Sequence, residues 1–410
     1  MPSSNNSLQQ GFSSLKFRNF RLWFSGQLAS LVGTWMQTTA MGFLMYELTH
    51  SPAYLGFVGF ANGIPALLFA LFGGVASDRF ERRKVLMVTQ ISMMCIAGFL
   101  TVITFTGKVQ PWHLIVIAFV NGVANAFDAP ARQAFVHELV PTEYLTNAIA
   151  LNSTMFNSAV ALGPTIAGIV YAVFGPVVCF GINTISFLAI LLSLTLMNLP
   201  PKQRDRTIES SFRAEIKEGL TYILHHKVIR TLLLTVAISN ILGMGYQAML
   251  PAWAVSVLHG NSITAGILQS SRGIGSVLGA LTIAMIGRTH LKGKILNVAS
   301  FIYPAFLLLF AGIHWLPFSI FALLGAGLGI MMLINTANAL IQTHVENSLR
   351  GRIMSVYSMA MMGMMPLGSL AYGTIAEYST VPFAIFIGAF ISILFAVWLT
   401  VHFSFIRKLS

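Results

Sequence analysis

The sequence predicts an all-α integral membrane protein with twelve transmembrane helices in two six-helix bundles, and three observations carry that prediction. The chain has 410 residues, of which 56% are hydrophobic and only 9% charged, whereas a soluble domain carries about 25% charged residues. The apolar residues fall into runs of about 20 or more, the length that a helix needs to cross a bilayer. Features of the first half of the chain also recur in the second half. Lipid is therefore expected to cover most of the surface.

Six apolar runs occupy the first half of the chain, separated by glycine, proline and charged residues. Each is predicted to be one transmembrane helix. They cover residues 20–46, 54–76, 85–106, 113–136, 145–172 and 176–198.

A polar connection at 200–229 divides the chain almost in half and predicts the domain boundary between a six-helix bundle at 1–199 and another at 230–410. Apolar residues between Phe212 and Leu224 recur at helical spacing among charges. That pattern predicts either an amphipathic helix on the membrane surface or a simple tether. The second set of runs covers residues 230–257, 263–286, 295–313, 316–342, 350–376 and 381–404.

The basic residues predict the orientation of the chain, because Lys and Arg concentrate on the cytoplasmic side of membrane proteins. All of the 24 Lys and Arg residues except Lys108 and Arg272 lie near the termini or at the connections that follow even-numbered runs. Both termini are therefore predicted to be cytoplasmic. The net charge of +12 then reflects membrane topology and does not indicate a nucleic-acid partner.

An internal repeat appears at an offset of 205 residues. Gly163 and Gly168 match Gly368 and Gly373, and Gly74 matches Gly279. Two repeats in the same orientation, related by an axis along the membrane normal, are typical of one transporter architecture with its substrate site between the halves. The repeat therefore predicts alternating access to a central site.

The connection after the second run resembles the signature loop of the major facilitator superfamily. It reads Gly74-Val-Ala-Ser-Asp78-Arg79-Phe-Glu81-Arg82-Arg83-Lys84. A glycine permits close approach of two helices, and an acid can accept N–H bonds at the positive end of a facing helix. Glu81 stands where the superfamily usually has glycine.

This resemblance implies the major facilitator fold and a conformational latch. By resemblance, Asp78 faces the start of the eleventh helix near Arg350, and Arg82 pairs with Asp128 in the fourth helix. Together with Gly74, Arg79 and Arg83, these residues would hold the halves together in the outward-open state.

Further segments resemble the drug:proton antiporter family that includes the enterobactin-exporter-like proteins. The fifth run contains Gly163-Pro164 followed by Gly168, which is similar to the Gly-Pro motif of antiporters and predicts tight packing of that helix. The other segments are Asn19-Phe-Arg-Leu-Trp23, Phe127-Asp-Ala-Pro-Ala-Arg-Gln-Ala-Phe135, Glu138-Leu-Val-Pro141 and Leu349-Arg-Gly-Arg352.

The family resemblance implies a secondary exporter of the bacterial inner membrane, active as a monomer and without a cofactor. Its cargo would be an amphipathic small molecule, either drug-like or a siderophore, exchanged for protons. A lysophospholipid transporter of the same fold and a transporter-derived sensor are the alternatives. The sequence has no P-loop, no Gly-x-Ser-x-Gly elbow and no metal-spaced cluster, so an enzyme is not predicted.

Arg272 lies about ten residues into the eighth run, and a charged residue at membrane depth indicates a functional site by default. It is predicted to favour anionic or carbonyl-rich cargo, or else to bond backbone carbonyls and amides. Amides on the cavity-lining helices are further candidates for cargo binding or for interhelical hydrogen bonds. They are Gln37, Asn121, Asn125, Asn152, Asn240, Gln269, Asn335 and Asn338.

Proton coupling requires a group that titrates and senses the conformational state. Asp128 is the candidate, because Arg82 and nearby helix ends would change its electrostatic surroundings as the halves move.

Overall fold

The computed structural model describes residues 12–199, 221–287, 291–346 and 349–409, and these residues are helical with no β-strand among them. The predicted all-α fold is confirmed. The first half contains α1 (Arg18–Thr49), α2 (Pro52–Arg79), α3 (Arg82–Phe105) and α4 (Pro111–Phe135). The helix Leu145–Leu196 follows and is broken at Gly175; we label its parts α5 (145–174) and α6 (176–196).

The second half repeats this plan. Most of the predicted amphipathic segment around Phe212 lies outside the described residues, and only 221–225 of it is described, as helix. The later helices are α7 (Lys227–Met244), α8 (Ser262–Ile286), α9 (Lys292–Gly312), α10 (Leu316–His344), α11 (Arg350–Gly363 and Met365–Tyr378) and α12 (Val381–His402).

Three helices depart from regular geometry. Gly175 has φ 79° and ψ 177°, a conformation open to glycine, and Pro176 follows it. Pro366 lies just after a break at Met364 in α11. After Met244, α7 continues as a 3₁₀ turn, a short α segment containing Pro251 and a π turn that ends at Val257. The departures in α7 and α11 shorten or bend helices that the apolar runs predict to be continuous, whereas the break at Gly175 falls between two predicted runs.

Nine helices of the described residues are long and apolar enough to cross a membrane, so the chain is a multi-pass membrane protein. Leu145–Leu196 lies within a single one of them. Helices α1 and α8, at 32 and 25 residues, are long enough but not among the nine. Their polar residues, among them Gln27 and Gln37 in α1 and Arg272 in α8, lower their hydropathy.

The apolar core differs between the two ends of the bundle. We call the end that carries Arg21, Arg83 and Arg132 the basic end. There the first half has a separate core, which includes Phe20, Trp23 and Phe135. At the opposite end, one continuous core contains residues of both halves. The two halves are therefore joined at the opposite end.

Candidate transport pathway

Helices α2 and α11 run antiparallel in close contact near the opposite end. A Cβ atom at Gly373 would lie 2.7 Å from the Cα atom of Gly56, so only glycines allow these two backbones to meet. Nearer the basic end, a Cβ atom at Gly363 would lie 2.5 Å from Cδ1 of Leu67. This is the last close glycine contact between α2 and α11 among the described residues.

Helices α5 and α8 form the equivalent contact on the other side of the molecule. The Ser262 hydroxyl donates to the carbonyl oxygen of Gly168 at 2.9 Å, and the Thr165 hydroxyl donates to Ser270 Oγ at 2.8 Å. The contact continues to Gly273, where a Cβ atom would lie 2.9 Å from a backbone oxygen of α5. Gly168 and its repeat partner Gly373 thus both pack against the other half.

Two further polar contacts join the halves. Thr39 of α1 donates its hydroxyl to Gln269 Oε1 of α8 at 3.1 Å. Glu377, at the end of α11, accepts a hydrogen bond from Ser51 Oγ at 2.6 Å and one from the backbone N–H of Ala53 at 3.1 Å. The Glu377 carboxylate therefore lies at the N-terminus of α2, where the helix dipole favours a negative charge.

The halves separate towards the basic end. Beyond Leu67, α2 continues for twelve residues to Arg79, about 18 Å at 1.5 Å per residue. Along that length, and along α5 from residue 159 back to residue 145, no hydrogen bond or ion pair among the described residues joins the two halves. The first half has its own apolar core at this end, and a Cβ atom at Gly74 would meet nothing within 4 Å. The described contacts thus join the halves at the opposite end and leave a space between them at the basic end, which we call the gap.

Arg272 lies at the closed end of this gap, one residue before Gly273. It is only 6% exposed and lies ten residues after the start of α8 at Ser262, a depth of about 15 Å. Within the part of the chain that the structure describes, its guanidinium has no hydrogen bond or ion pair. Its position in the repeat corresponds to Leu67 in the first half.

Asp128 forms a buried polar cluster between α3 and α4. It is 1% exposed, and its Oδ1 atom accepts hydrogen bonds from Thr89 Oγ1 at 2.9 Å and Gln90 Nε2 at 2.8 Å. Its Oδ2 atom lies 2.8 Å from Nη2 of Arg132, one turn along the same helix. The negative charge is thus held by partners within the first half.

The family profile described as transmembrane secretion effector matches residues 9–409, which is nearly the whole chain. The chain belongs to this family of the major facilitator superfamily. Members of the family are membrane transporters and not enzymes. The resemblance seen in the sequence is confirmed.

The relatives of this major facilitator chain are efflux transporters. The staphyloferrin A transporter of Staphylococcus aureus is 26% identical over 87% of this chain and 89% of its own length. The macrolide efflux protein A of Streptococcus pyogenes is 23% identical over 89% and 91%. The enterobactin exporter of Citrobacter koseri is 23% identical over 68% and 67%.

Solved structures show the same fold. A mutant of the nucleoside transporter NupG superposes with a TM-score of 0.76 at 14% identity, over 94% of this chain and 99% of that one. A POT family transporter in complex with 5-aminolevulinic acid gives 0.75 at 13% identity, over 95% and 97%.

The signature loop of the superfamily shows a different pairing from the one predicted. The predicted contact between Arg82 and Asp128 is wrong for this structure: Arg82 Nη1 lies 2.8 Å from Glu138 Oε1 and donates to the carbonyl oxygen of Ala134 at 3.2 Å. The 3₁₀ turn that follows α4 brings Glu138 to Arg82. Asp128 already has Arg132 one turn away.

The prediction that Gly74 permits a close helix contact is also wrong for this structure. A Cβ atom at Gly74 would meet nothing within 4 Å, whereas one at Gly73 would lie 2.1 Å from the carbonyl oxygen of Ala126. The physical reason is that Gly73 faces α4 and Gly74 faces the open gap. Asp78 and Arg79 are exposed.

The guanidinium of Arg83 is hydrogen-bonded within the first half. It donates to the carbonyl oxygens of Thr195 and Met197 at 2.9 and 3.3 Å and so caps the C-terminal end of α6.

Half of the predicted cargo-binding amides have a hydrogen-bond partner within the same half. Gln37 accepts from Asn183 at 2.7 Å, and Asn152 accepts from Trp23 Nε1 at 3.3 Å. Asn240 donates to its own helix, and Asn338 accepts from Gln342.

The remaining predicted amides have different positions. Gln269 bonds across the halves to Thr39. Asn121, Asn125 and Asn335 have no hydrogen-bond partner in the described ranges and are half-buried or exposed.

The Gly-Pro motif packs as a contact surface of α5. A Cβ atom at Gly163 would lie 2.7 Å from Cβ of Trp35 in α1, and one at Gly266 of α8 would lie 2.3 Å from the carbonyl oxygen of Pro164.

Sequence reasoning missed Thr39, Glu377 and Gly73. The contact of Glu377 with the start of α2 could have been predicted. Glu377 lies at the end of one apolar run, and α2, which is antiparallel to that run, begins at the same level. Thr39 and Gly73 gave no signal that separated them from their neighbours.

Proposed function

We propose that this protein exports an amphipathic small molecule, either drug-like or a siderophore, across the bacterial inner membrane by alternating access and proton antiport. The observation that carries the proposal is the distribution of contacts between the halves. They pack through α2 with α11 and α5 with α8 near one end, and a gap opens at the other end. Two bundles that rock about a central site would exchange this arrangement for its opposite.

The basic end is the cytoplasmic end in this proposal. Lys and Arg favour the cytoplasmic side, and α1 begins and α12 ends at this end, so both termini would be cytoplasmic. Twelve spans follow from the nine apolar helices if α5 and α6 count separately and α1 and α8 are included. The bundles would then be 1–199 and 230–410, joined by the linker 200–229, and the structure would represent the inward-open state of a monomer.

The nature of the cargo is supported by the relatives. Three of them carry names of siderophore or macrolide transporters. Asn121 and Asn335 are half-buried amides without a hydrogen-bond partner among the described residues, and they would give the gap a mixed polar and apolar lining. Such a mixed lining suits a molecule with polar groups on an apolar body.

The predicted latch fits the opposite state of the cycle. Gly74 and Asp78 face the gap when the cytoplasmic end is open, and they would meet the start of α11 when it closes. Proton coupling would depend on Asp128, which lies in the polar cluster of α3 and α4.

A disulfide cross-link across the closed end tests the proposed function. Thr165→Cys and Ser270→Cys, in a chain with Cys95 and Cys179 replaced, put thiols where the hydroxyl oxygens are 2.8 Å apart. Oxidation should abolish uptake by inverted membrane vesicles of whichever dye the wild type accumulates, cationic ethidium or anionic carboxyfluorescein, because the halves cannot open on that side, and a reductant should restore it.

A matched pair within the first half provides the control. The hydroxyl oxygens of Thr101 and Thr184 lie 3.4 Å apart in α3 and α6, so the double cysteine variant should cross-link without loss of uptake. Full uptake by the oxidised Thr165→Cys/Ser270→Cys protein would contradict alternating access between these halves.

A further inference from the structure

We infer that Arg272 forms an anion subsite at the closed end of the gap, which selects amphipathic cargo that carries a carboxylate. The inference rests on the proposed function and adds the chemical class of the substrate. It concerns a guanidinium that the packing of the protein leaves without a partner.

The position of Arg272 places it where cargo would stop. The contact between α5 and α8 begins near the opposite end, where Gly168 meets Ser262. It extends to Gly273 of α8, which lies at the gap. One turn towards the opposite end, Gln269 is bonded to Thr39 of the other half. Arg272 is thus adjacent to the contact that closes the pathway, at the end of the gap.

The donors of Arg272 are not used by the protein. A guanidinium has five N–H donors, and none of those of Arg272 makes a hydrogen bond or an ion pair within the described residues, although the residue is only 6% exposed. A buried charge without a partner is strongly unfavourable. A ligand that supplies a carboxylate would satisfy the donors in a bidentate arrangement.

The carboxylates nearest the membrane-spanning part among the described residues lie at other levels of the bundle. Glu47 and Glu377 are at the opposite end, where they accept hydrogen bonds from Tyr171 and from Ser51 and Ala53. Asp128 is paired with Arg132 inside the first half. No described acid is within ion-pair distance of Arg272, so the field at the end of the gap is positive.

The internal repeat shows that packing alone does not require this charge. The equivalent position in the first half is Leu67, which packs against Gly363 at the corresponding end of the α2–α11 contact. The same structural position therefore accepts an apolar side chain in one half and has an arginine in the other.

Two dyes that share a ring system and differ in charge test the preference for an anion. Carboxyfluorescein is anionic and rhodamine 123 is cationic, and both have a xanthene ring system. Binding of each dye to the purified full-length protein is measured by fluorescence anisotropy. The wild type should bind carboxyfluorescein at least tenfold more tightly than rhodamine 123. Arg272→Gln should lose at least tenfold in affinity for carboxyfluorescein without weaker binding of rhodamine 123.

Two controls accompany this measurement. Arg272→Lys keeps the charge and should retain most of the preference. Arg230→Gln removes a positive charge at the basic end of α7 and should change neither affinity.

Equal affinity of the wild type for both dyes, binding of neither, or a parallel loss of both in Arg272→Gln would overturn the anion subsite. The wild-type comparison decides even if Arg272→Gln does not fold. The cross-linking experiment tests uptake of both a cationic and an anionic dye and does not require a preference for either, so failure of the subsite leaves the proposed export function standing.

Discussion

Asp128 is buried and has a polar partner at each of its oxygens, so a change in its charge would affect several neighbouring side chains. Its two oxygens are held by Thr89, Gln90 and Arg132 within 2.9 Å. Gln90 also accepts a hydrogen bond from Ser30 of α1 at 3.5 Å. Protonation would weaken the ion pair with Arg132, and the change would extend through Gln90 to α1, which contacts the other half.

We predict that Asp128→Asn uncouples transport from the proton gradient. The Asn Oδ1 atom can still accept from Thr89 and Gln90, so the fold should persist, but the group no longer titrates. Uptake driven by a pH gradient in inverted vesicles should fall at least tenfold, while exchange of labelled for unlabelled cargo without a gradient should continue. Glu138→Gln, which breaks the Arg82 pair and leaves Asp128 intact, is the control. Unchanged gradient-driven uptake by Asp128→Asn would show that protons act elsewhere.

At the scale of the helices, two neighbouring glycines of α2 face different surroundings. Gly73 faces α4, and a Cβ atom there would lie 2.1 Å from the carbonyl oxygen of Ala126. Gly74 is 18 residues after Gly56, which is five full turns of a helix, so it lies on the face of α2 that meets α11. In this structure that face is open at the level of Gly74.

We predict opposite results for alanine at these two positions. Gly73→Ala should lower the melting temperature of the purified protein, because overpacking against a backbone oxygen costs about 1–3 kcal/mol. Gly74→Ala should leave the melting temperature within a degree or two of the wild type but reduce transport, because the added methyl group lies in the path of α11 when the halves close. Equal loss of stability in both variants would contradict this assignment of the two faces.

The helices also show which parts of the structure the sequence could predict. Composition and run length predict the all-α membrane fold, because lipid imposes helices on long apolar segments. The break at Gly175 coincides with the boundary between two predicted runs. The 3₁₀ and π turns after Met244 were not predictable from periodicity, because they depend on a tertiary contact: a Cβ atom at Gly245 would lie 2.6 Å from the Cα atom of Gly368.

The site was less predictable than the fold for a physical reason. Asp78, Arg82 and Asp128 belong to a motif, and a motif does not specify which of two conformations a structure adopts. The exchange of the predicted Arg82–Asp128 pair for Arg82–Glu138 and Arg132–Asp128 is a choice between nearby partners of equal charge. Such a choice depends on distances of a few ångströms.

For the whole molecule, the antiparallel arrangement of α2 and α11 places an acid at each end of the pair. Glu377 at the end of α11 accepts hydrogen bonds at the N-terminus of α2. Asp78 at the end of α2 is eleven residues beyond Leu67, and Arg352 in the first turn of α11 is eleven residues before Gly363, the partner of Leu67. Continuation of this register would place Asp78 at the N-terminus of α11 once the basic end closes.

The transport cycle would then exchange one carboxylate–helix contact for the other. We predict that Glu377→Gln shifts the protein towards the outward-open state, because a neutral amide loses the charge-assisted part of the contact with α2. A loss of about 1.4 kcal/mol would change the ratio of the two states about tenfold. Asp78→Asn should shift the ratio the other way, and the double variant should return close to the wild type, because the two sites are distant and their effects add.

Distances between spin labels at the two ends of α2 and α11, measured by pulsed electron paramagnetic resonance, report this ratio directly. Glu47→Gln is the control, because Glu47 accepts from Tyr171 within the same half and should leave the distances unchanged. A distance distribution in Glu377→Gln identical to the wild type, or shifted further towards the inward-open state, would rule out this exchange. In that case the packing of Gly56 against Gly373 alone would hold the closed end.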